Sequence, residues 1–266
     1  MNHLDKLSFK KKGYIILKNL NLPYTPYKLA KDIYNFIISC NFRDFSAPSR
    51  EISSLATYID YLYALDQKNK TSNIGNLYQL FPTLPFVCKF FTQKKIINIV
   101  NILGNSNPTF GTVPIVRVDR PFDRKYKTYW HQDKWFSLSG PNSLTIWFPL
   151  VEMNSKIGYL EIFKKFDLNK IYKIKILDKK KYNENHAVKY NIKKKDIIKL
   201  KVNFGDIVIF NQNLVHRSGT NISKNCRITV QARFNDLKNA KNPYSTFKST
   251  SSTDYMIENR KSLLVY

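Results

Sequence analysis

Cysteine is scarce in this chain of 266 residues, and its placement excludes two kinds of scaffold. Three cysteines, Cys40, Cys88 and Cys226, are scattered along the sequence, and none belongs to a Cys-x-x-Cys pair. An odd, dispersed set argues against a disulfide framework and against a structural zinc site, and it favours a reducing compartment. We therefore expect a cytoplasmic protein.

Long apolar runs are also missing. Residues 1–20 carry charges but no apolar stretch of signal-peptide length ahead of a small-residue cleavage site. No later window is apolar enough to span a bilayer, so we expect a soluble protein without a membrane partner. Because 43% of the residues are apolar, the chain can still bury a sizeable core. Its length suits one large domain or two small ones, and single barrels of this length are common.

Acidic residues are few: 19 Asp and Glu stand against 44 Lys and Arg, a formal net charge of +25. The excess is mostly lysine, alongside abundant Asn, Ile, Tyr and Phe, and these residues share AT-rich codons. Phosphate-binding surfaces usually rely on arginine as well and concentrate their charge. The densest run, residues 164–201, is typical of a solvated connection. We expect a small-molecule substrate, which the charge would allow to be anionic, rather than a nucleic-acid partner.

Helices are predicted in the first part of the chain. Residues 24–40 and 84–104 have apolar positions at helical spacing, and residues 55–66 favour a third helix. Thr25 can cap the first of these, and Pro26 suits its first position. A short strand is predicted within residues 8–20, after a glycine turn.

Beyond residue 110 the pattern changes to short segments rich in β-branched and aromatic residues, separated by Gly, Pro and Asn. The predicted strands are 114–121, 127–133, 143–153, 158–163, 206–212 and 226–234. Residues 164–201 are expected to add a hairpin, and the tail after residue 236 has a weak helical character. Helices first and strands later predict helices packed on a β-barrel or sandwich.

Two of the four histidines form a metal-binding pattern. His131 and Asp133 are two residues apart, and on a strand such residues point to the same side. His216 follows the predicted strand 206–212 at its far end. Two imidazoles and one carboxylate are the ligand set of a non-haem Fe(II) site that keeps one face of the metal open. His186 and His3 are expected on the surface.

Strand 226–234 supplies a matching polar face. Arg227, Thr229, Gln231 and Arg233 alternate with the apolar residues from Cys226 to Phe234. A strand that turns its polar face into a barrel lumen and its apolar face toward helices has this pattern. Arg227, eleven residues after His216, would offer a planar fork to a dicarboxylate co-substrate.

These residues carry a family likeness. The segment Tyr-Trp-His-Gln-Asp at residues 129–133, followed by the pattern His-x-Ser-Gly-x-Asn-x-Ser-x-x-x-Arg at residues 216–227, resembles the phytanoyl-CoA dioxygenase family of Fe(II)/2-oxoglutarate oxygenases. The likeness extends more weakly over most of residues 10–236. Where relatives often carry a Pro-Gly-Ser-His turn after the strand that ends near residue 163, this chain has Lys-Lys-Phe-Asp. Because that region borders the substrate site, the resemblance does not carry over a substrate.

The resemblance implies an α+β, mainly β fold: a double-stranded β-helix, or jelly-roll and cupin-like barrel, with N-terminal helices packed on one sheet. It implies one domain over residues 1–266, with a helical and strand part at 1–110, a β-helix core at 111–236 and a tail at 237–266. It also implies a set of site residues. Fe(II) would be held by His131, Asp133 and His216, and 2-oxoglutarate would be contacted by Arg227, Ser218, Gln132 and Trp147.

The implied activity is a dioxygenase that uses Fe(II), 2-oxoglutarate and O2 to hydroxylate a small molecule at an unactivated C–H bond, releasing succinate and CO2. Halogenating relatives replace the carboxylate ligand with a small residue, so the presence of Asp133 favours hydroxylation. Three alternatives stay open. They are a nucleic-acid demethylase of the same superfamily, which uses an Arg-x5-Arg pair such as Arg227 and Arg233, a non-catalytic barrel that binds ligands, and a cupin-like metal enzyme without 2-oxoglutarate.

Overall fold

The computed structural model describes residues 3–39, 53–123, 128–136, 140–177, 186–240 and 264–265. Six helices lie in the first part of this described chain: α1 His3–Lys12, α2 Pro26–Ser39, α3 Leu55–Asn69, α4 Asn73–Leu80, α5 Pro85–Thr92 and α6 Lys94–Ile102. Among the described residues, no helix combines the length and hydropathy needed to cross a membrane.

The sequence did not predict α1, α4 or the strands at residues 108–110, 197–200, 216–218 and 264–265, whereas the other strands lie within or overlap predicted segments. Twelve strands lie in the described part of the chain. They are β1 Tyr14–Leu17, β2 Pro108–Phe110, β3 Ile115–Asp119, β4 Leu144–Pro149, β5 Leu160–Phe163, β6 Ile174–Ile176, β7 His186–Val188, β8 Ile197–Leu200, β9 Ile207–Asn211, β10 His216–Ser218, β11 Arg227–Asp236 and β12 Leu264–Val265. Short 3-10 turns occupy Phe81–Thr83, Asp133–Trp135, Lys194–Asp196 and Leu237–Asn239.

Two antiparallel sheets form the barrel. The large sheet has the order β1-β9-β4-β11-β2, with β3 also paired to β11, and the small sheet has the order β10-β5-β8. Strands adjacent in these sheets are far apart in sequence, so the topology is that of a double-stranded β-helix. The predicted fold class is thereby confirmed. The predicted hairpin within the lysine-rich segment is present as the antiparallel pair β6 and β7, with β12 parallel to β6.

The outer face of the large sheet is covered by helices, as the alternation on β11 predicts. Ile228, Val230 and Ala232 are at most 1% exposed. Aromatic rings close the layer, with Phe90 of α5 4.5 Å from Phe148 of β4 between ring centroids. The core therefore lies between the helices and the sheet, which leaves the other face of the sheet to line the lumen.

Helix α2 begins as predicted, with the Lys28 backbone N–H donating to the Thr25 hydroxyl at 3.2 Å and Pro26 in the first turn. The single helix predicted for residues 84–104 is wrong: α5 and α6 are separate and break at Gln93, whose ψ of 134° is not helical. The Gln93 side chain pairs with both backbone groups of Tyr24, at 2.8 Å each. A tertiary contact therefore stabilises a break that helical periodicity does not reveal.

The strand predicted for residues 127–133 is also a correction. Of its described residues, His131 forms one isolated bridge with His216, and Asp133 begins a 3-10 turn. Gln132 between them is extended, with φ −115° and ψ 136°. One extended residue is enough to point its two neighbours to the same side, which is the part of the prediction that the site needs.

Candidate metal centre

His131, Asp133 and His216 converge at one end of the lumen. One ligand atom from each lies within 4.8 Å of the others, and all three side chains are buried. The bridge between His131 and His216 fastens the two histidine-bearing segments together through reciprocal backbone hydrogen bonds of 3.0 Å. The rings lie 4.3 Å apart between centroids. The arrangement could hold one metal ion.

Each imidazole is oriented by its own segment. His131 Nδ1 lies 2.7 Å from the Tyr129 carbonyl oxygen, and His216 Nδ1 lies 2.9 Å from the Leu214 carbonyl oxygen. Because a carbonyl only accepts, both Nδ1 atoms carry the proton and both Nε2 atoms keep a lone pair. This is the tautomer that a metal ligand needs.

Burial keeps His216 neutral. Loss of solvation, followed by the nearby His131, lowers the pKa of His216 to about 3. Burial by itself would raise the pKa of Asp133, but Arg233 and the two histidines hold it well below its usual range. The site therefore offers a neutral imidazole and a carboxylate at neutral pH, which suits a divalent cation.

Asp133 is held at both oxygens. Its Oδ2 accepts a hydrogen bond from the Thr145 hydroxyl at 2.5 Å. Its Oδ1 accepts from Arg233 at 3.0 Å and lies 3.6 Å from His131 Nε2. Thr145 and Arg233 are paired across β4 and β11, so the large sheet fixes the carboxylate.

A cavity of ≈ 620 Å³ opens onto the centre. His131 and His216 line it, and so do two of the predicted co-substrate residues, Trp147 and Ser218. Other lining side chains mix apolar, aromatic and cationic groups: Tyr78, Ile115, Arg117, Phe136, Leu160, Gln231 and Arg233. A volume of this size lies in the usual range of small-molecule sites.

Arg227 lies on the same face of β11 as Arg233 but lines a separate, smaller cleft, which it shares with Ser218. Its guanidinium donates to Asp119 Oδ2 through Nε and Nη2, at 3.0 and 2.9 Å. Its Nη1 donates to the carbonyl oxygens of Gly158 and Gly219, at 2.7 Å each. Four of the five guanidinium N–H groups are thus engaged.

The loops that carry these two carbonyls approach very closely. Gly158 has φ +88°, and a Cβ added there would lie 2.7 Å from the Gly219 carbonyl oxygen. Arg227 therefore joins β3 and two tightly packed loops. Burial acts to raise the pKa of Asp119, but Arg117 and Arg227 hold it below its usual range.

Gln132, which we expected to contact a co-substrate, has its amide group engaged by the protein itself. Its side chain is fully buried on the side opposite to His131 and Asp133. It donates to the Lys170 and Asn213 carbonyls at 2.8 and 2.7 Å and accepts from the Tyr172 backbone N–H at 2.8 Å. The amide NH2 group and the amide oxygen of Gln132 are both engaged. Gln132 therefore links two loops to the segment 131–133 of the candidate metal centre.

Sequence reasoning missed two residues. His186, expected on the surface, is half-buried and lines the cavity. The reason is that β7 lies beside the segment that carries His131: the Val188 backbone N–H donates to the Trp130 carbonyl at 2.8 Å. Arg233 was considered only as a lumen-facing residue and as the second arginine of an Arg-x5-Arg pair, yet it contacts the carboxylate of Asp133 in the candidate metal centre. The alternation of β11 predicted its side of the sheet, but not its partner.

Comparison with solved structures supports the same fold. EctD from S. alaskensis with bound Fe superimposes with a TM-score of 0.57 at 13% identity, covering 90% of this chain and 78% of that chain. EvdO2 from Micromonospora carbonacea var. aurantiaca complexed with 2-oxoglutarate gives 0.56 at 14%, covering 88% and 91%. The non-heme alpha ketoglutarate dependent carbocyclase SnoK gives 0.50 at 14%, covering 94% and 91%.

No curated protein matches the sequence significantly. The family model for phytanoyl-CoA dioxygenase does match, over residues 119–229. The matched segment contains all three residues of the candidate metal centre and also Arg227. The resemblance of this chain to the phytanoyl-CoA dioxygenase family, expected from its motifs, is thereby confirmed.

Proposed function

We propose that the protein is an Fe(II)- and 2-oxoglutarate-dependent oxygenase that acts on a small molecule. The observation that carries this proposal is the buried convergence of His131, Asp133 and His216 beside a cavity of ≈ 620 Å³ that both histidines line. The match to the family model over the same residues supports it. The likeness in fold to EctD with bound Fe and to EvdO2 complexed with 2-oxoglutarate is consistent with it.

The residues present fit a ferrous ion. His131 and His216 would bind through Nε2, since both Nδ1 atoms are engaged by carbonyls, and Asp133 would supply a carboxylate oxygen. Three protein ligands on one side leave positions for a co-substrate and O2. Bound there, Fe(II) with 2-oxoglutarate and O2 would supply the oxidising chemistry and yield succinate and CO2.

For the co-substrate, we propose that Ser218 and Arg227 lie at its far carboxylate. Ser218 lines both the main cavity and the smaller cleft of Arg227, so it stands between the metal centre and that arginine. Arg227 retains one N–H beyond its bonds to Asp119 and the two glycine carbonyls. Trp147 of β4, 4% exposed, would wall the cavity and exclude water.

For the substrate, we propose a small molecule with an anionic group that is hydroxylated at a C–H bond. Leu160, Ile115 and Phe136 give the cavity apolar walls, while Arg117 adds positive charge. Retention of the Asp133 carboxylate supports hydroxylation over halogenation. One structural neighbour is a carbocyclase, so proteins of this fold also catalyse reactions other than hydroxylation. Hydroxylation is therefore proposed in addition to the oxygenase activity.

We also propose a cytoplasmic location. The two cysteines within the described residues, Cys88 and Cys226, are free thiols, as expected in a reducing compartment. Cys40 lies outside the described residues.

The test is succinate formation from 2-oxoglutarate by the Fe(II)-loaded protein, with and without a metabolite library. We expect substrate-dependent succinate release in the wild type and its loss in Asp133→Ala and in His216→Ala. Asn98→Ala, an exposed change on α6, is the matched control and should behave like the wild type. Full activity in both ligand variants, with iron retained, would overturn the site.

A further inference from the structure

Arg233 brings a buried positive charge into contact with the candidate metal centre. Its Nη2 donates to Asp133 Oδ1 at 3.0 Å, and its side chain is 10% exposed. It lines the main cavity beside His131, His216 and Gln231. Its guanidinium carbon lies 5.2 Å from the centroid of the Phe136 ring, which covers one side of the group.

The hydrogen bonds of Arg233 are incomplete. Within the described part of the chain, its buried Nε–H has no hydrogen-bond partner. A guanidinium has five N–H donors in a rigid plane, and a buried donor without an acceptor is costly. Arg227, on the same strand, differs sharply because four of its donors have partners. Arg233 is therefore a buried cation that lines the cavity and can still donate a hydrogen bond to an acceptor bound there.

The position of Arg233 determines which group it can meet. It touches a metal-binding carboxylate, so any anion it binds must also lie next to the metal. Arg227 lies six residues earlier on β11, so the two Cα atoms are roughly 20 Å apart along the strand. The guanidinium of Arg227 is engaged by Asp119 and that of Arg233 by Asp133, so the two groups do not grip the same carboxylate.

We propose that Arg233 binds the metal-proximal carboxylate of the 2-oxo-acid co-substrate while it holds Asp133 in place. A planar fork suits this double task, because one edge can meet Asp133 while another N–H faces a second carboxylate. The proposal rests on the function proposed above and adds to it the residue that receives the reacting end of the co-substrate.

The rival explanation is that Arg233 only neutralises and orients Asp133. A change at Thr145 distinguishes the two explanations. The Thr145 hydroxyl holds the other oxygen of the Asp133 carboxylate, but Thr145 does not line the cavity and so cannot contact the co-substrate there. A residue that acts only through Asp133 should affect metal binding. A residue that also contacts the co-substrate should affect 2-oxoglutarate binding even when the metal site is full.

The experiment is calorimetric titration of 2-oxoglutarate into Mn(II)-saturated protein without O2, with Mn(II) affinity measured separately. The variants are Arg233→Met, Arg233→Lys and Thr145→Val, with circular dichroism to verify folding. We expect Thr145→Val to weaken Mn(II) binding but to keep the wild-type affinity for 2-oxoglutarate at saturating Mn(II). Both Arg233 variants should lose roughly tenfold or more in 2-oxoglutarate affinity, as expected for a lost charge-assisted hydrogen bond.

Arg233→Lys keeps the charge beside Asp133, so it decides the question if Arg233→Met does not fold. Wild-type affinity for 2-oxoglutarate in the folded Arg233 variants at saturating Mn(II) would overturn this assignment alone. An equal loss in Thr145→Val would also overturn it, because the effect would then run through Asp133. A wild-type protein that binds Mn(II) but no 2-oxoglutarate would overturn the proposed function, and this assignment with it.

Discussion

Asp133 and Gln132 are sequence neighbours with opposite tasks. Asp133 points into the lumen, where Thr145 and Arg233 hold its two oxygens. Gln132 points away and uses its whole amide group on Lys170, Asn213 and Tyr172. The extended backbone between His131 and Asp133 enforces this division, because successive side chains on such a backbone lie on opposite sides. The family motif identifies Gln132 as the residue between the two candidate ligands, but it does not reveal which groups the Gln132 side chain contacts.

The first prediction concerns Gln132. Replacing it with leucine leaves two carbonyls and one backbone N–H unpaired in the interior, so we expect Gln132→Leu to lower the free energy of unfolding by about 1–3 kcal/mol. Urea unfolding measures the loss. The affinity of the Mn(II)-loaded, folded variant for 2-oxoglutarate should stay at the wild-type value. A clear drop in that affinity with unchanged stability would instead support direct contact with the co-substrate.

At the scale of elements, hydrophobic periodicity and alternation predicted most of the architecture. The alternation on β11 correctly separated a helix-facing side from a lumen-facing side, because a strand with one buried face has a fixed register. The break between α5 and α6 was not predicted, because both helices continue the same apolar periodicity. Gln93 contacts Tyr24, which lies 69 positions earlier in the sequence. No local pattern encodes a contact of that kind.

The second prediction concerns this break. The Gln93 side chain accepts from the Tyr24 N–H and donates to the Tyr24 and Phe90 carbonyls. We expect Gln93→Leu to destabilise the fold by about 1–3 kcal/mol, because these backbone groups lose their partner. Asn98→Ala, on the exposed face of α6, should change stability by less than about 0.5 kcal/mol. Thermal and urea unfolding compare the two, and equal stabilities would contradict a role for Gln93 in holding the break.

At the scale of the whole molecule, three of the scarce acidic residues form partly or fully buried ion pairs with arginine. Asp119 pairs with Arg117 and Arg227, Asp133 pairs with Arg233, and Glu161 pairs with Arg217. Three of these four arginines, those other than Arg217, lie beside the cavity and its cleft. Beside the cavity and its cleft, these pairs set three arginines against two carboxylates, Asp119 and Asp133, in a chain whose net charge is +25.

The third prediction concerns pH and the stability of the metal-free protein. The pKa of His216 falls from 6.5 to about 3 on folding. Between these two pH values the unfolded chain binds a proton at His216 and the folded chain does not. Stability from this group is thus complete above pH 6.5 and is lost as pH falls toward 3, by about 1.4 kcal/mol per pH unit. Asp133, with its lowered pKa, loses its contribution only below its usual value of 3.8.

Urea unfolding of the metal-free protein between pH 4 and pH 7 measures this slope. His216→Gln removes the titrating group but keeps a polar side chain of similar size, and we expect a flatter dependence on pH in that variant. Identical slopes in the two proteins would contradict a buried, neutral His216.

The sequence by itself determined which residue types could form the metal centre and which side of β11 faces the lumen, because both follow from the two-residue repeat of an extended backbone. It also determined that helices would cover a β-rich core. Only the tertiary structure decided that Arg233 meets Asp133 while Arg227 is engaged by Asp119, that Gln132 serves the loops, and that His186 lines the cavity. Those outcomes depend on which strands and loops become neighbours, and residues 69 to 108 positions apart carry no local signal of their contact.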